Sequence, residues 1–215
     1  MNIFIPYNKQ YVEKTYQFNN QHTKFIESFV IRHLLKRLIK NKLVTRVDFY
    51  SQSKSIIDGI QSNKLNFVQS ISNENESSEE IIKDYLSIVK LVEPLVYYNL
   101  MFPFTDVSKI NQALNNIKAG KYNSATGVIE KGVVWSDDAI DVIDPHGSTP
   151  SQAQITSSLD IGSFCIVKPE SILAGYRRIK KPVFFVSLTS LEIINMRSSA
   201  DSDIYELIVS SGMSL

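Results

Sequence analysis

The sequence predicts an α/β protein with a mostly parallel β-sheet that helices cover on both faces, giving three layers. Runs rich in β-branched and aromatic residues alternate along the chain with amphipathic helical segments. The run PLVYYNL at 94–100 is apolar almost throughout, which is typical of a central strand that is buried on both faces. No repeat, heptad run or glycine- or proline-rich linker interrupts the 215 residues, so we expect one domain over 1–215.

The strands are predicted from composition and length. The first is a short apolar run that ends at Pro6, and VTRVDFYS at 44–51 is rich in β-branched and aromatic residues. A β-hairpin excursion from the sheet is predicted over 132–144, where GVVWSDDAIDVID turns at its Ser-Asp-Asp sequence. The strands predicted within the sheet are 2–6, 44–51, 65–71, 94–100, 122–130, 159–169 and 182–188.

The helices are predicted from apolar spacing and from capping residues. Between about 25 and 43, apolar residues recur at helical spacing opposite a basic face, and shorter helices are expected at 54–62 and 170–178. Three further helices follow N-cap candidates, and the second of them stops at Gly120. These N-cap candidates are Ser77 or Ser78, Asp106, and Ser198 or Ser199. The polar stretch between Pro6 and Lys24 contains no glycine and is predicted as a loop.

Composition limits the partners and the location that we expect. Hydrophobic residues make up 43% and charged residues 21% of the chain, as in ordered soluble proteins. The formal charge is only +1, so electrostatics alone recruits neither nucleic acid nor a membrane surface, and neither is expected as a partner. Cys165 is the only cysteine, which excludes an internal disulfide and a cysteine-based zinc cluster. No apolar run approaches the ~20 residues of a membrane span, and no signal-peptide pattern is present. A reducing, cytoplasmic location is therefore expected.

Six segments follow one another in an order and spacing that are found in a known family. They are IFIP (3–6), TKFIESFVIRHLLKRLIKNKLVTRVDFYSQS (23–53), VEPLVYYNLMFPFTDVSKINQALNNI (92–117), SATGVIE (124–130), SQAQITSSLDIGSFCIVKPESIL (151–173) and IINMRSSADSDIYELI (193–208). Over nearly the whole chain they resemble the acylneuraminate cytidylyltransferases, which form CMP-sugars from CTP and a sugar acid. The resemblance implies a Rossmann-like sheet of the nucleotide-diphospho-sugar transferase type.

The resemblance also implies a binding site for CTP or a nucleotide-sugar after the first strand. There the family has glycines, which let backbone N–H groups approach phosphate, and basic residues, which neutralise its charge. In this chain Tyr7-Asn8-Lys9-Gln10 replaces the glycine-bearing part. Lys9 and Lys24 are then the candidate catalytic cations, and Lys14 is a candidate substrate-binding cation. The alternative is that these lysines belong to a solvated loop.

Other substrate-binding candidates come from two later segments. Asn99 falls on a glutamine of the family's Leu-Gln-Pro-Thr-Ser-Pro-Leu-Arg motif, and Gln152 and Gln154 lie in the segment that resembles its Arg-Gln region. Leu100, Met101 and Phe102 replace polar family residues. Such residues are more often part of a core than of a ligand site, although they could stack on a base.

The resemblance implies Mg²⁺ if the chain is active, because a divalent cation neutralises the phosphates of CTP as pyrophosphate leaves. Mg²⁺ prefers carboxylate and water ligands. The family's Asp-Ile-Asp corresponds here to Asn195-Met196-Arg197, so a cation stands where a carboxylate is expected. Asp201 matches a later family aspartate and is the metal candidate. The alternative for Asp201 is a favourable interaction with the dipole of the helix that it begins.

Two hypotheses of different classes follow. The first is a cytidylyltransferase-like protein whose family activity is weak or lost. The second is a non-catalytic structural or assembly subunit, a pseudoenzyme that keeps the fold as a binding scaffold. The resemblance also implies a homodimer through 132–144, whereas a hairpin folded onto its own domain is the alternative.

Overall fold

Seven strands form one mixed sheet in the computed structural model, which describes residues 1–71, 77–131 and 157–211. The order across the sheet is β3-β2-β1-β4-β6-β5-β7. Only β6 runs antiparallel to its described neighbours, β4 and β5, and the other pairings are parallel. The predicted mostly parallel sheet is thus confirmed. The strands are β1 (Asn2–Tyr7), β2 (Arg46–Ser51), β3 (Leu65–Gln69), β4 (Leu95–Tyr98), β5 (Ser124–Lys131), β6 (Ser157–Val167) and β7 (Val183–Ser187).

Helices connect these strands. A π-helical segment, Ile26–Val30, joins the second helix to the third, and Lys54–Ile57 forms a 3-10 turn in place of the predicted helix at 54–62. The α-helices are α1 (Lys9–Tyr16), α2 (Asn20–Phe25), α3 (Ile31–Lys40), α4 (Ser78–Ile88), α5 (Val107–Lys118), α6 (Pro169–Leu173) and α7 (Ser199–Ser210).

The predicted helix caps are present. Ser77 and Glu80 form a capping box at the start of α4. The carboxylate of Asp106 accepts a backbone hydrogen bond in the first turn of α5, and Ser198 does the same for α7. Gly120 follows α5 with a φ of 75°, the left-handed conformation that glycine adopts readily. Local sequence therefore determines where these helices begin and end.

Two hydrophobic cores lie on opposite faces of the sheet. Alternate residues of β1 enter them: Ile3 and Ile5 pack into the core beneath α3 and α5, whereas Phe4 packs into the core beneath α4. Side chains alternate between the faces of a strand, so both faces of β1 are buried. The predicted three-layer architecture is confirmed.

The segment after β1 differs from the predicted loop, because Lys9–Tyr16 is helical. Asn8 caps this helix, and its Oδ1 accepts a hydrogen bond from the backbone N–H of Tyr11 at 3.1 Å. Gln17 ends it in the left-handed conformation, with a φ of 53°. The absence of glycine and proline, together with an asparagine N-cap, was the local signal for this helix.

Some expectations fall outside the described residues. The hairpin predicted at 132–144, and with it the expected dimer contact, lies there, as do Gln152 and Gln154. Within the ranges that the structure describes, no helix combines the length and the apolar character needed to cross a membrane.

Candidate functional site

A pocket of about 190 Å³ opens where β1 and β4 end. The chain moves from β1 to β2 and β3 on one side and places β4 on the other side, so β1 and β4 flank the point at which the strand order reverses. In open α/β sheets, ligands bind in the crevice at this point, beyond the carboxyl ends of the strands. Pro6 and Tyr7 line the pocket from β1, and Tyr97 and Asn99 line it from the end of β4. The topology therefore points to this pocket as the candidate site.

Helix α1 supplies one wall of the pocket through Tyr11, Val12 and Tyr16. Two backbone N–H groups in the first turn are already bonded, since Tyr11 donates to Asn8 Oδ1 and Val12 donates to Asn8 O. A segment without glycine thus presents aromatic side chains to the crevice.

Two arginines give the pocket its charge. Arg178 lies after α6 and Arg197 lies just before α7, and both side chains line the pocket. Arg178 donates from Nη2 to Asp160 Oδ2 at 3.3 Å, which limits the movement of its guanidinium group. Among the described residues that line the pocket there is no carboxylate. The site is therefore suited to an anion.

Aromatic rings hold the guanidinium group of Arg197. Its Cζ lies 5.0 Å from the ring centroid of Tyr16 and 5.6 Å from that of Phe102, both within cation–π range. Burial raises the pKa of the Tyr16 hydroxyl, and the charge and hydrogen bonding of Arg197 oppose part of that rise. Burial also raises the pKa of Tyr97. Both hydroxyls are therefore neutral at pH 7 and available as hydrogen-bond donors.

The three candidate lysines lie outside the pocket lining. Lys9 Nζ is 3.7 Å from Glu27 Oε2, and half of the Lys9 side chain is exposed. The same Glu27 accepts a hydrogen bond at 3.0 Å from the Tyr7 hydroxyl, so Lys9 belongs to a small polar group beside β1. Lys14 on α1 and Lys24 on α2 are exposed. The roles of the three lysines in binding or catalysis stay predictions.

Asn99 does line the pocket, and its side chain also holds the local backbone. Its Nδ2 donates to Gly162 O at 2.9 Å, and its Oδ1 accepts from the Met101 N–H at 3.1 Å. One N–H and one lone pair remain for a ligand. Leu100 and Met101, each 3% exposed, pack into the core, which is the commoner role expected for such residues. The role of Asn99 in substrate binding stays a prediction.

The described contacts of Asp201 are those of a helix cap. Its backbone N–H donates to Ser198 Oγ at 3.1 Å, and its Oδ2 accepts from the same hydroxyl at 2.8 Å. Across residues 1–71, 77–131 and 157–211, no cluster of three or more His, Cys, Asp or Glu side chains could hold a metal ion. Mg²⁺ beside a nucleotide is held by one or two carboxylates together with phosphate oxygens and water, and the assignment of Asp201 as its ligand stays a prediction.

Sequence reasoning did not select Arg178 or the tyrosines of the pocket as site residues, and it treated Arg197 only as an obstacle to metal binding. No local motif marks these positions. They form a site because strand ends and loops from distant parts of the chain meet at one edge of the sheet.

Several solved structures resemble this one over almost its full length. A CMP:2-keto-3-deoxy-manno-octonic acid synthetase complexed with CTP has a TM-score of 0.65 at 10% identity, covering 99% of both chains. A 4-diphosphocytidyl-2C-methyl-D-erythritol synthase from Anaerococcus prevotii has a TM-score of 0.62 at 11% identity, covering 97% of this chain and 95% of that one. A putative glucose-1-phosphate thymidylyltransferase from Bacillus anthracis, in complex with a sucrose, has a TM-score of 0.61 at 7% identity, covering 100% and 96%.

No family model matches the sequence, and no curated protein does. At identities of 7–11%, the structural likeness shows the fold alone. The protein has the α/β fold of the nucleotidyltransferases, as the sequence resemblance implied.

Proposed function

We propose that this chain is a cytidylyltransferase-like protein that binds CTP, CMP or a CMP-sugar in the pocket at the ends of β1 and β4, and that its transferase activity is weak or lost. The position and lining of that pocket carry the proposal. The pocket lies at the reversal of strand order, and arginines and tyrosines line it without a described carboxylate.

Three properties of the pocket support a nucleotide ligand. Arg178 and Arg197 supply positive charge for phosphate groups. Tyr11 offers an aromatic face on which a base can stack. Two structural neighbours have cytidine nucleotide chemistry in their names, and one of them was solved with CTP. The charge and the aromatic ring support a nucleotide ligand, and the two neighbours favour a cytidine nucleotide.

If the chain retains transferase activity, an oxygen of a sugar acid attacks the α-phosphate of CTP. A bond forms between that oxygen and the α-phosphorus, the bond from that phosphorus to the bridging oxygen breaks, and pyrophosphate leaves. Positioning and charge neutralisation would supply most of the rate enhancement. Only if the chain is active would this step use Lys9 and Lys24 as its proposed cations and need Mg²⁺, with Asp201 as the proposed ligand. Because none of these residues is part of the described pocket lining, we propose weak or absent activity.

The second candidate is a non-catalytic structural or assembly subunit. The size of the pocket favours it: 190 Å³ is below the roughly 300–1,000 Å³ of small-molecule sites, so the described part of the pocket would enclose only part of a nucleotide. The homodimer through 132–144 that the resemblance implies is proposed for either candidate. Light scattering of the intact chain, compared with a Trp135→Ala variant, would test the dimer.

A thermal-shift titration of the whole chain with CTP, CMP and GTP would test nucleotide binding. A ligand at ~100 times its Kd adds about 2.7 kcal/mol to the free energy of unfolding, which this assay detects. Tyr11→Ala, in the pocket wall, should reduce the shift, whereas Tyr176→Ala removes an exposed ring outside the lining and should leave it unchanged. No shift with any nucleotide at millimolar concentration would overturn the proposal. Release of pyrophosphate from CTP with a panel of sugar acids would then measure activity.

A further inference from the structure

Arg197 is a cation that the described structure leaves available to a ligand. The side chain is exposed and lines the pocket. Its Cζ lies 5.0 Å from the ring centroid of Tyr16 and 5.6 Å from that of Phe102, and the guanidinium group has five N–H donors, more than its contact with Tyr16 uses. No carboxylate in the described ranges forms an ion pair with it. The group is therefore oriented by aromatic rings without being neutralised by an acid.

Arg178 adds a second cation with a different environment. Its guanidinium group donates to Asp160, and only about a quarter of its side chain is exposed. The carboxylate offsets part of its charge but also fixes its position, which lowers the entropy lost when a ligand binds. The pocket therefore presents one partly compensated and one uncompensated arginine.

We propose that this pocket binds the phosphate groups of its ligand through Arg197 and Arg178, without a divalent cation. This inference rests on the proposed function, and it concerns the group that neutralises the phosphates. Proteins that hold Mg²⁺ next to phosphate usually do so through one or two carboxylates, and no described residue of the lining provides one. The two positive side chains of the lining would also disfavour a cation in the pocket. Arginine, by contrast, binds phosphate directly through paired N–H donors.

A pocket that binds phosphate through arginines alone should respond to Mg²⁺ differently from a metal-dependent site. Mg²⁺ coordinates the same phosphate oxygens that the arginines would contact, and it reduces the negative charge of the nucleotide. Free CTP should therefore bind at least as tightly as its Mg²⁺ complex. Cytidine, which has no phosphate, should not respond to the loss of Arg197.

Isothermal titration calorimetry of the full chain with CTP, CMP and cytidine, in EDTA and then in millimolar Mg²⁺, would test this. We expect the Kd for CTP in EDTA to be equal to or lower than that in Mg²⁺. Arg197→Ala should raise the Kd for CTP about tenfold or more, since it removes a hydrogen-bonded charge pair. Arg177→Ala is the matched control, because Arg177 is exposed, has the same charge and lies outside the pocket lining.

Arg197→Lys keeps the charge but not the paired donors. The Kd of this variant for CTP should therefore lie between those of the wild type and of Arg197→Ala. It also provides a second test if Arg197→Ala folds poorly, which circular dichroism would reveal. Binding of CTP only in Mg²⁺, or equal affinities of the Arg197→Ala and Arg177→Ala variants, would overturn the inference and leave the proposed function intact. An absence of CTP and CMP binding under both conditions would overturn the proposed function itself.

Discussion

Gly127 provides a quantitative test of how β5 packs against β6. It lies at a shift in the register of the two strands, between Thr126 and Val128. A Cβ added at Gly127 would collide with Ser163 Oγ and would lie 2.8 Å from Leu188 Cδ1. The strands must shift to accept it, so Gly127→Ala should lower the free energy of unfolding by about 1–3 kcal/mol, the usual cost of overpacking.

Ser163 is the matched partner for a double-mutant cycle. Its hydroxyl is buried and has no hydrogen-bond partner among the described residues, so Ser163→Ala should cost little or even stabilise the protein. The same change removes the atom with which the new Cβ collides. Urea unfolding of both single variants and the double variant should therefore give a favourable coupling energy of about 0.5–3 kcal/mol.

Gly120→Ala is the control for this cycle. Gly120 has a φ of 75° and nothing within 4 Å of an added Cβ, so its substitution strains the backbone without a collision. It should cost about 1–2 kcal/mol and show no coupling with Ser163→Ala. Wild-type stability of Gly127→Ala, or a coupling energy near zero, would refute the packing argument.

Three further predictions concern stability and reactivity. Burial raises the pKa of Glu192, but hydrogen bonds from Lys109 and from backbone N–H groups outweigh it and lower the pKa below its usual 4.5. The stability that Glu192 provides is therefore complete above about pH 4.5 and declines as the pH falls through the folded-state pKa. Glu192→Gln should flatten this acid dependence in urea titrations at pH 3–7, and an unchanged slope would contradict the assignment. Burial raises the pKa of the Cys165 thiol to about 12, so Ellman's reagent at pH 8 should react only as fast as the chain opens, and rapid reaction of the folded protein would contradict this. Asn8→Ala should cost about 0.5–2 kcal/mol by removing the cap of α1, whereas Asn8→Ser should cost less, and equal stabilities by urea unfolding would argue against the cap.

Most of the regular structure could be predicted from the sequence, because its signals are local. Ser77, Asp106 and Ser198 lie within three residues of the N–H groups that they cap, so the chain itself carries this information. The π-helical segment Ile26–Val30 within the long predicted helix at 25–43 was not anticipated. Nor was α1, because its polar composition suggested a loop more strongly than its cap suggested a helix.

The sequence by itself determined the alternation of strands and helices, the burial of the strands, the buried state of Cys165 and the resemblance of the whole to the nucleotidyltransferases. Only the tertiary structure decided the strand order, the reversed direction of β6 and the meeting of Arg178 with Arg197 at one pocket. The physical reason is the distance along the chain over which each kind of interaction acts. Caps and apolar periodicity act within a few residues, whereas the pocket depends on which strand ends lie side by side once both faces of the sheet are buried.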